Sequence, residues 1–135
     1  VNIKLIKYKE YKKPFRAHYN DAGADVFSPE EYILQPHTTV KIPLGFGVEI
    51  PDGFMGVIFP RSSYAANGIV AEHPPIDSGY RGEIHCIVTN MSDEPFGIGT
   101  GDRIGQLVII PIVIANFVEN LSEERHVNGF GSSGK

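Results

Sequence analysis

Thr39-Val40-Lys41-Ile42-Pro43-Leu44-Gly45-Phe46-Gly47-Val48-Glu49-Ile50 is the stretch that decides the fold. Its apolar members, Val40, Ile42, Leu44, Phe46, Val48 and Ile50, fall on every second position. Period two sends them to one face of a strand and the intervening residues to the other. Pro43 and the two glycines mark an edge position or a bulge. Outward from this core, residues 3–8, 54–59 and 83–89 read as further strands, with Ile84, Cys86 and Val88 on one face. Ile104 to Ile114 is a nearly continuous apolar run with Pro111 inside it. It reads as two buried strand pieces, because a helix interior does not tolerate proline. Helical signal is confined to residues 62–68, with a serine as cap and Gly68 as stop. Fifteen glycines and ten prolines separate the short apolar runs. The class is therefore all-β, a jelly-roll-like barrel or sandwich with one short helix.

The chain has 135 residues and a mass of 14.8 kDa, which is enough for one domain with its own core. A single cysteine excludes an internal disulfide framework. No apolar stretch reaches the ~18 residues of a membrane span, and Val1-Asn2-Ile3-Lys4 has no signal-peptide pattern. The expected address is cytoplasmic. The net charge of -4 argues against general nucleic-acid affinity but leaves room for a local basic pocket.

Several short segments carry chemistry. The tail, Asn128-Gly129-Phe130-Gly131-Ser132-Ser133-Gly134-Lys135, spells most of a P-loop, but a P-loop needs a strand before it and a helix and hydroxyl residue after it, so a nucleotide-hydrolase P-loop is not expected. Its glycines and serines still suit an anion, and Phe130 suits a ring. From the residues alone the tail is either a mobile terminus or a phosphate-binding lid. Arg61-Ser62-Ser63 at a helix start favours an anion, or else is a plain cap beside a surface arginine. Ile76-Asp77-Ser78-Gly79-Tyr80-Arg81-Gly82-Glu83 reads as a tight turn, with unusual backbone angles at Gly79 and Gly82. Asp77 there is either a water-activating base or an Asx-turn carboxylate. Tyr80 either faces a sugar or is half-buried in a strand. Asp25 and Arg103 have the charges for a buried structural pair, Asp102 reads as a turn residue, and the Gln106 amide needs a partner. The five histidines show no zinc-ligand spacing, and Cys86 reads as a buried apolar-like residue.

Taken in order, these segments resemble the trimeric dUTP pyrophosphatases (dUTPases). The matching motifs are Ala22-Gly23-Ala24-Asp25-Val26-Phe27-Ser28, Pro60-Arg61-Ser62-Ser63, residues 76–83, Gly101-Asp102-Arg103-Ile104-Gly105-Gln106-Leu107, and Arg125 with residues 129–134. The resemblance implies a β jelly-roll homotrimer with active sites shared between subunits. Residues 1–120 would form the β domain, and residues 121–135 a flexible glycine-rich arm that closes over the site. The reaction would split dUTP into dUMP and pyrophosphate, limiting uracil in DNA and supplying dUMP for dTMP synthesis. Asp77 would activate the water that attacks the α-phosphorus. Tyr80 would sit under the deoxyribose and exclude a 2′-hydroxyl. Backbone groups from Ile76 to about His85 would read uracil. Arg61, Ser62 and Ser63 would hold phosphates, and Gln106 would approach the α-phosphate. Arg125, Ser132 and Ser133 would clamp the β and γ phosphates while Phe130 stacks on the base, and Gly131 would also contact substrate. Mg²⁺ would be held mainly by the triphosphate and water, with no direct protein ligand.

The chain departs from the pattern in places. Gly68 to Ile76 is short, and Glu72-His73-Pro74-Pro75 stands where the family often has an asparagine and a glycine. Gly79 replaces a frequent aspartate, and His126 and Asn128 replace common glycines in the tail. The related dCTP deaminases share the Arg-Ser-Ser segment but use a catalytic glutamate where this chain has Ile87, so deamination ranks low. A nucleotide-binding or partner-binding trimer is the other class. Asp77 and the tail argue against it, because a pure binder needs neither a water-activating carboxylate nor a lid.

Overall fold

In the computed structural model, which describes residues 1–120, the deciding stretch forms two strands instead of one. They are β4 (Thr39–Pro43) and β5 (Phe46–Glu49). Gly45 breaks the run with φ +89, a left-handed angle that glycine adopts without a Cβ clash. The period-two face survives the break: Ile42, Leu44, Phe46, Val48 and Ile50 are all buried at the centre of the core.

The remaining strands are β1 (Lys4–Lys7), β2 (Ala24–Phe27), β3 (Tyr32–Leu34), β6 (Phe54–Pro60), β7 (Ile69–Ala71), β8 (His85–Asn90), β9 (Phe96–Ile98) and β10 (Arg103–Pro111). They pair antiparallel as β1-β5, β2-β10-β6, β3-β9 and β4-β8-β7. Small antiparallel sheets wrapped round one core give the jelly-roll-like β fold. Pro43 ends β4, an outer strand of its sheet, where its missing N–H is tolerated. In β8, Ile84 (just before the strand), Cys86 and Val88 all point inward. Burial pushes the Cys86 thiol up to about 12.

Two local expectations are corrected. Ile104 to Ile114 does not make two buried pieces. β10 runs unbroken to Pro111, and beyond it Val113 and Ile114 are exposed. Pro111 sits at the strand's end, opposite Phe54, where it interrupts no ladder in the middle of a sheet. The helix α1 (Ser62–Ala66) is capped by Arg61, with no side-chain hydrogen bond, so no serine caps it. What holds so short a helix is packing. Tyr64 is buried and meets Phe96 edge-on at 5.2 Å. Gly68, with φ +76, ends the segment as expected.

Asn90 ties the far end of β8 to its surroundings. Fully buried, its Nδ2 donates to the carbonyls of Leu34 (2.9 Å) and Glu94 (2.7 Å). Its Oδ1 accepts from the Ser92 N–H (2.9 Å) and hydroxyl (2.7 Å). All its side-chain polar groups are thereby satisfied.

Candidate active site

The turn carrying Asp77 is anchored at its base by β6. Ile76 and Gly56 exchange both main-chain hydrogen bonds, at 2.7 and 2.9 Å. The Tyr80 N–H donates to the Asp77 carbonyl at 3.0 Å, and the Ser78 hydroxyl donates to Asp52 at 3.0 Å. The Asp77 carboxylate is exposed. Gly79 and Gly82 do not take left-handed angles; among the described residues the glycines with positive φ are Gly45, Gly53, Gly68 and Gly101. Gly82 is required for closeness instead, since a Cβ there would stand 2.5 Å from the Tyr80 hydroxyl. The Tyr80 ring lies over this glycine, its hydroxyl donates to the Glu83 carbonyl at 2.9 Å, and it remains 45% exposed. The ring is thus fixed while one face stays available.

A cleft of about 250 Å³ opens beside this turn. Ile76, Asp77, Tyr80 and His85 all line it, as do Lys41, Ile58, Glu72, His73, Pro74, Pro75, Glu83, Ile84 and Ile87. Of the lining charges, three are carboxylates and one is an ammonium, so the cleft does not attract a triphosphate by itself. It suits the neutral end of a nucleotide.

Along β8, residues 84 and 90 bond to the β4 side: the Leu44 N–H donates to the Ile84 carbonyl and the Asn90 N–H to the Thr38 carbonyl. Ile87 and Met91 bond to the β7 side, through Glu72 and Gly68. By this alternation the main-chain groups of His85 turn toward the β7 side. There the register, Ala71 opposite Val88, places Pro74. Proline has no N–H to give, so along this register the His85 carbonyl receives no main-chain bond from position 74.

Arg61, Ser62, Ser63 and Gln106 do not line this cleft. They gather where β6, β10 and β2 run side by side. Gln106 stands opposite Phe59 on one side and Asp25 on the other. Gly23 leaves it room, since a Cβ there would come within 2.9 Å of the Gln106 Cβ. Arg61 donates to the Arg103 carbonyl at 3.4 Å. Ser62, Ser63 and Gln106 are exposed, so the Gln106 amide meets water and needs no buried partner. Arg103 does face Asp25, at 3.7 Å, but the arginine side chain is 54% exposed. The pair is half in solvent, not buried, and contributes little to stability. Asp102 is the turn residue expected, its carboxylate accepting the Gly99 N–H at 2.7 Å. Arg125, Phe130, Gly131, Ser132 and Ser133 lie outside the described residues.

Sequence reasoning missed Lys41, Ile58, Ile84 and Ile87 as cleft residues. Lys41 and Ile87 are cross-strand partners, a relation fixed by β4–β8 register. Period two in both strands carried part of that signal, but pairing β4 with β8 needed the fold.

A cleft poor in cations beside an exposed carboxylate, with arginines and hydroxyls grouped apart from it, is an arrangement that suits enzymes acting on nucleoside polyphosphates. Known proteins narrow the class. A profile of the dUTPase family matches residues 9–134, and the chain belongs to that family, the enzymes that hydrolyse dUTP. It is 43% identical to the deoxyuridine 5′-triphosphate nucleotidohydrolase of Clostridium tetani, over 100% of this chain and 97% of that protein. With the enzyme of the same name from Tropheryma whipplei the identity is 39%, over 96% and 94%. The dUTPase of phage phi11 of S. aureus superposes with a TM-score of 0.84 at 26% identity, covering 92% of this chain and 99% of that one. A mutant of that phage enzyme, with a TM-score of 0.83 at 26% identity over 90% and 97% of the two chains, coordinates a structural Mg(II) ion. Among the described residues no helix is long and apolar enough to cross a membrane.

Proposed function

We propose that this chain hydrolyses dUTP through water activated by Asp77, in sites completed by neighbouring copies of a homotrimer. The carboxylate accepts a proton from water as the oxygen bonds to the α-phosphorus. The bond from the α-phosphorus to the bridging oxygen breaks, releasing pyrophosphate and leaving dUMP. Base and deoxyribose enter the cleft of one chain. Backbone from Ile76 to His85 reads uracil, whose N3–H suits the His85 carbonyl. The Tyr80 ring, held over Gly82, packs under the deoxyribose where a ribose would carry its 2′-hydroxyl.

The phosphates are held by Arg61, Ser62, Ser63 and Gln106 of another copy, with Asp25 and Arg103 supporting that cluster. Residues 121–135 act as an arm that brings Arg125, Ser132 and Ser133 to the β and γ phosphates and Phe130 to the base. The described residues contain no group of three histidine, cysteine, aspartate or glutamate side chains able to cage a metal. Mg²⁺ would accompany the triphosphate, bound by phosphate oxygens and water, where it neutralises phosphate charge. The expected compartment is the cytoplasm.

The observation that carries this reading is the pairing of an exposed Asp77 with a clamped Tyr80 on a cleft poor in cations. Pyrophosphate release with Mg²⁺ from dUTP, dCTP, dTTP and UTP tests it. Only dUTP is turned over rapidly, and Asp77→Asn binds dUTP with turnover lowered roughly 10²–10⁴-fold. Equal turnover by wild type and variant would remove the enzyme mechanism.

A further inference from the structure

The Tyr80 turn is not held by the cleft alone. Its outer side rests on the N-terminal edge of the fold, through three contacts. The Tyr8 hydroxyl donates to the Arg81 carbonyl. Glu83, whose side chain is 22% exposed, accepts the Gly45 N–H at 2.9 Å and lies 3.7 Å from the Lys9 ammonium. Gly47 makes the approach possible, because a Cβ there would stand 2.6 Å from the Gly82 carbonyl and 2.9 Å from the Arg81 carbonyl. The Tyr8 and Lys9 N–H groups both donate to the Gly45 carbonyl, at 2.9 and 3.1 Å, so the clamp closes on itself.

We propose that Tyr8 and Glu83 are positioning residues that set the height of the Tyr80 ring, and so determine how strictly the enzyme rejects a ribonucleotide. The inference rests on the proposed role of Tyr80 at the sugar. The chain of contact is short. Tyr8 fixes the Arg81 carbonyl and Glu83 fixes the other end of the turn at Gly45. Between them Gly82 presents its bare Cα to the Tyr80 ring. Shifting the Arg81–Gly82 peptide by a few tenths of an ångström shifts the ring by a similar amount. A 2′-hydroxyl is excluded by contact distance, so its rejection is steeply sensitive to such a shift. Binding of deoxyribose is less sensitive, since it has no atom there.

Tyr8→Phe removes the hydrogen bond while keeping the ring that packs on Gly47. The readout is the ratio of kcat/KM for dUTP to that for UTP, measured beside Tm. The ratio should fall roughly five- to tenfold, the worth of one hydrogen bond, with Tm within a few degrees of wild type. Glu83→Gln weakens the attraction to Lys9 and should move the ratio in the same direction by less. It serves as the second variant should Tyr8→Phe fold poorly. Tyr80→Ala is the reference for complete loss. A folded Tyr8→Phe with an unchanged ratio, alongside a Tyr80→Ala that loses discrimination, overturns the positioning role and leaves the Tyr80 reading intact. A Tyr80→Ala that still discriminates overturns the parent reading and this inference together.

Discussion

Replacing Asn90 by alanine should destabilise the protein by about 3–4 kcal/mol, chiefly by taking a partner from one buried carbonyl. The side chain makes four hydrogen bonds, to Leu34, Glu94 and twice to Ser92. Their net worth at roughly 0.5–1.5 kcal/mol each would sum to about 2–6 kcal/mol. Glu94 is exposed and Ser92 half-buried, so water replaces part of what those groups lose. The Leu34 carbonyl has least recourse to water, because Leu34 is fully buried, and losing a partner there costs roughly 1–3 kcal/mol by itself. Urea unfolding followed by far-ultraviolet circular dichroism measures the loss. The chain has no tryptophan for fluorescence, and chain concentration must be held fixed if copies associate. A loss below about 1 kcal/mol would refute the claim that the network is satisfied only by Asn90. Asn90→Asp provides an internal control. It keeps the acceptor but turns the donor toward two carbonyls into a second acceptor, which raises the carboxyl pKa in the folded state. That variant should therefore gain stability as pH falls toward 4, the opposite of a carboxylate that the fold favours.

Three further outcomes follow from packing and ionisation. Cys86, 5% exposed and with its thiol pushed up to about 12, should resist thiol reagents at pH 8 until the protein is unfolded; labelling at the rate of an exposed thiol would contradict its burial. Tyr64 is raised from 10.0 to about 12 by burial first, then by the Asp102 charge, with Arg61 opposing. The folded state thus keeps a proton that the unfolded chain releases, so this contribution is full below pH 10 and lost between pH 10 and 12, readable as a falling Tm over that window. Gly105→Ala places a Cβ 2.8 Å from both the Ile58 Cγ2 and the Phe59 carbonyl oxygen, and should cost roughly 1–3 kcal/mol in urea unfolding. A change within about 0.5 kcal/mol would mean that β6 and β10 can part without strain.

How much of this was legible beforehand varies by the range of the forces involved. The alternation at residues 39–50 exposed the core face directly, because burial acts on each side chain in turn. It did not show that one apolar face serves two sheets, since that turns on the backbone angle at Gly45. The Asp77–Tyr80 segment was readable as a turn. Its glycines invite a reading in terms of special backbone angles, whereas closeness of Gly82 to the Tyr80 ring depends on a rotamer and leaves no mark in sequence. Opposite charge pairs Asp25 with Arg103, but the pair lies half in solvent. Charge identifies partners, whereas depth depends on what neighbouring strands cover. The Ile104–Ile114 run misled for the same reason: apolar composition at an exposed end looks like core.

The two prolines after β7 have a consequence for how selectivity can change over time. A base read by a main-chain carbonyl is read by the path of the chain, and no substitution of the His85 side chain rewrites that path. Replacing the imidazole should leave the preference for uracil in place. Under the proposed reading of uracil, Pro74, which has no N–H to offer that carbonyl, is the position that governs the preference. Alanine at that position restores an N–H, lets β7 extend by pairing with His85, and closes the carbonyl off from any ligand. The position where recognition is most easily lost is therefore one whose contribution is a missing hydrogen.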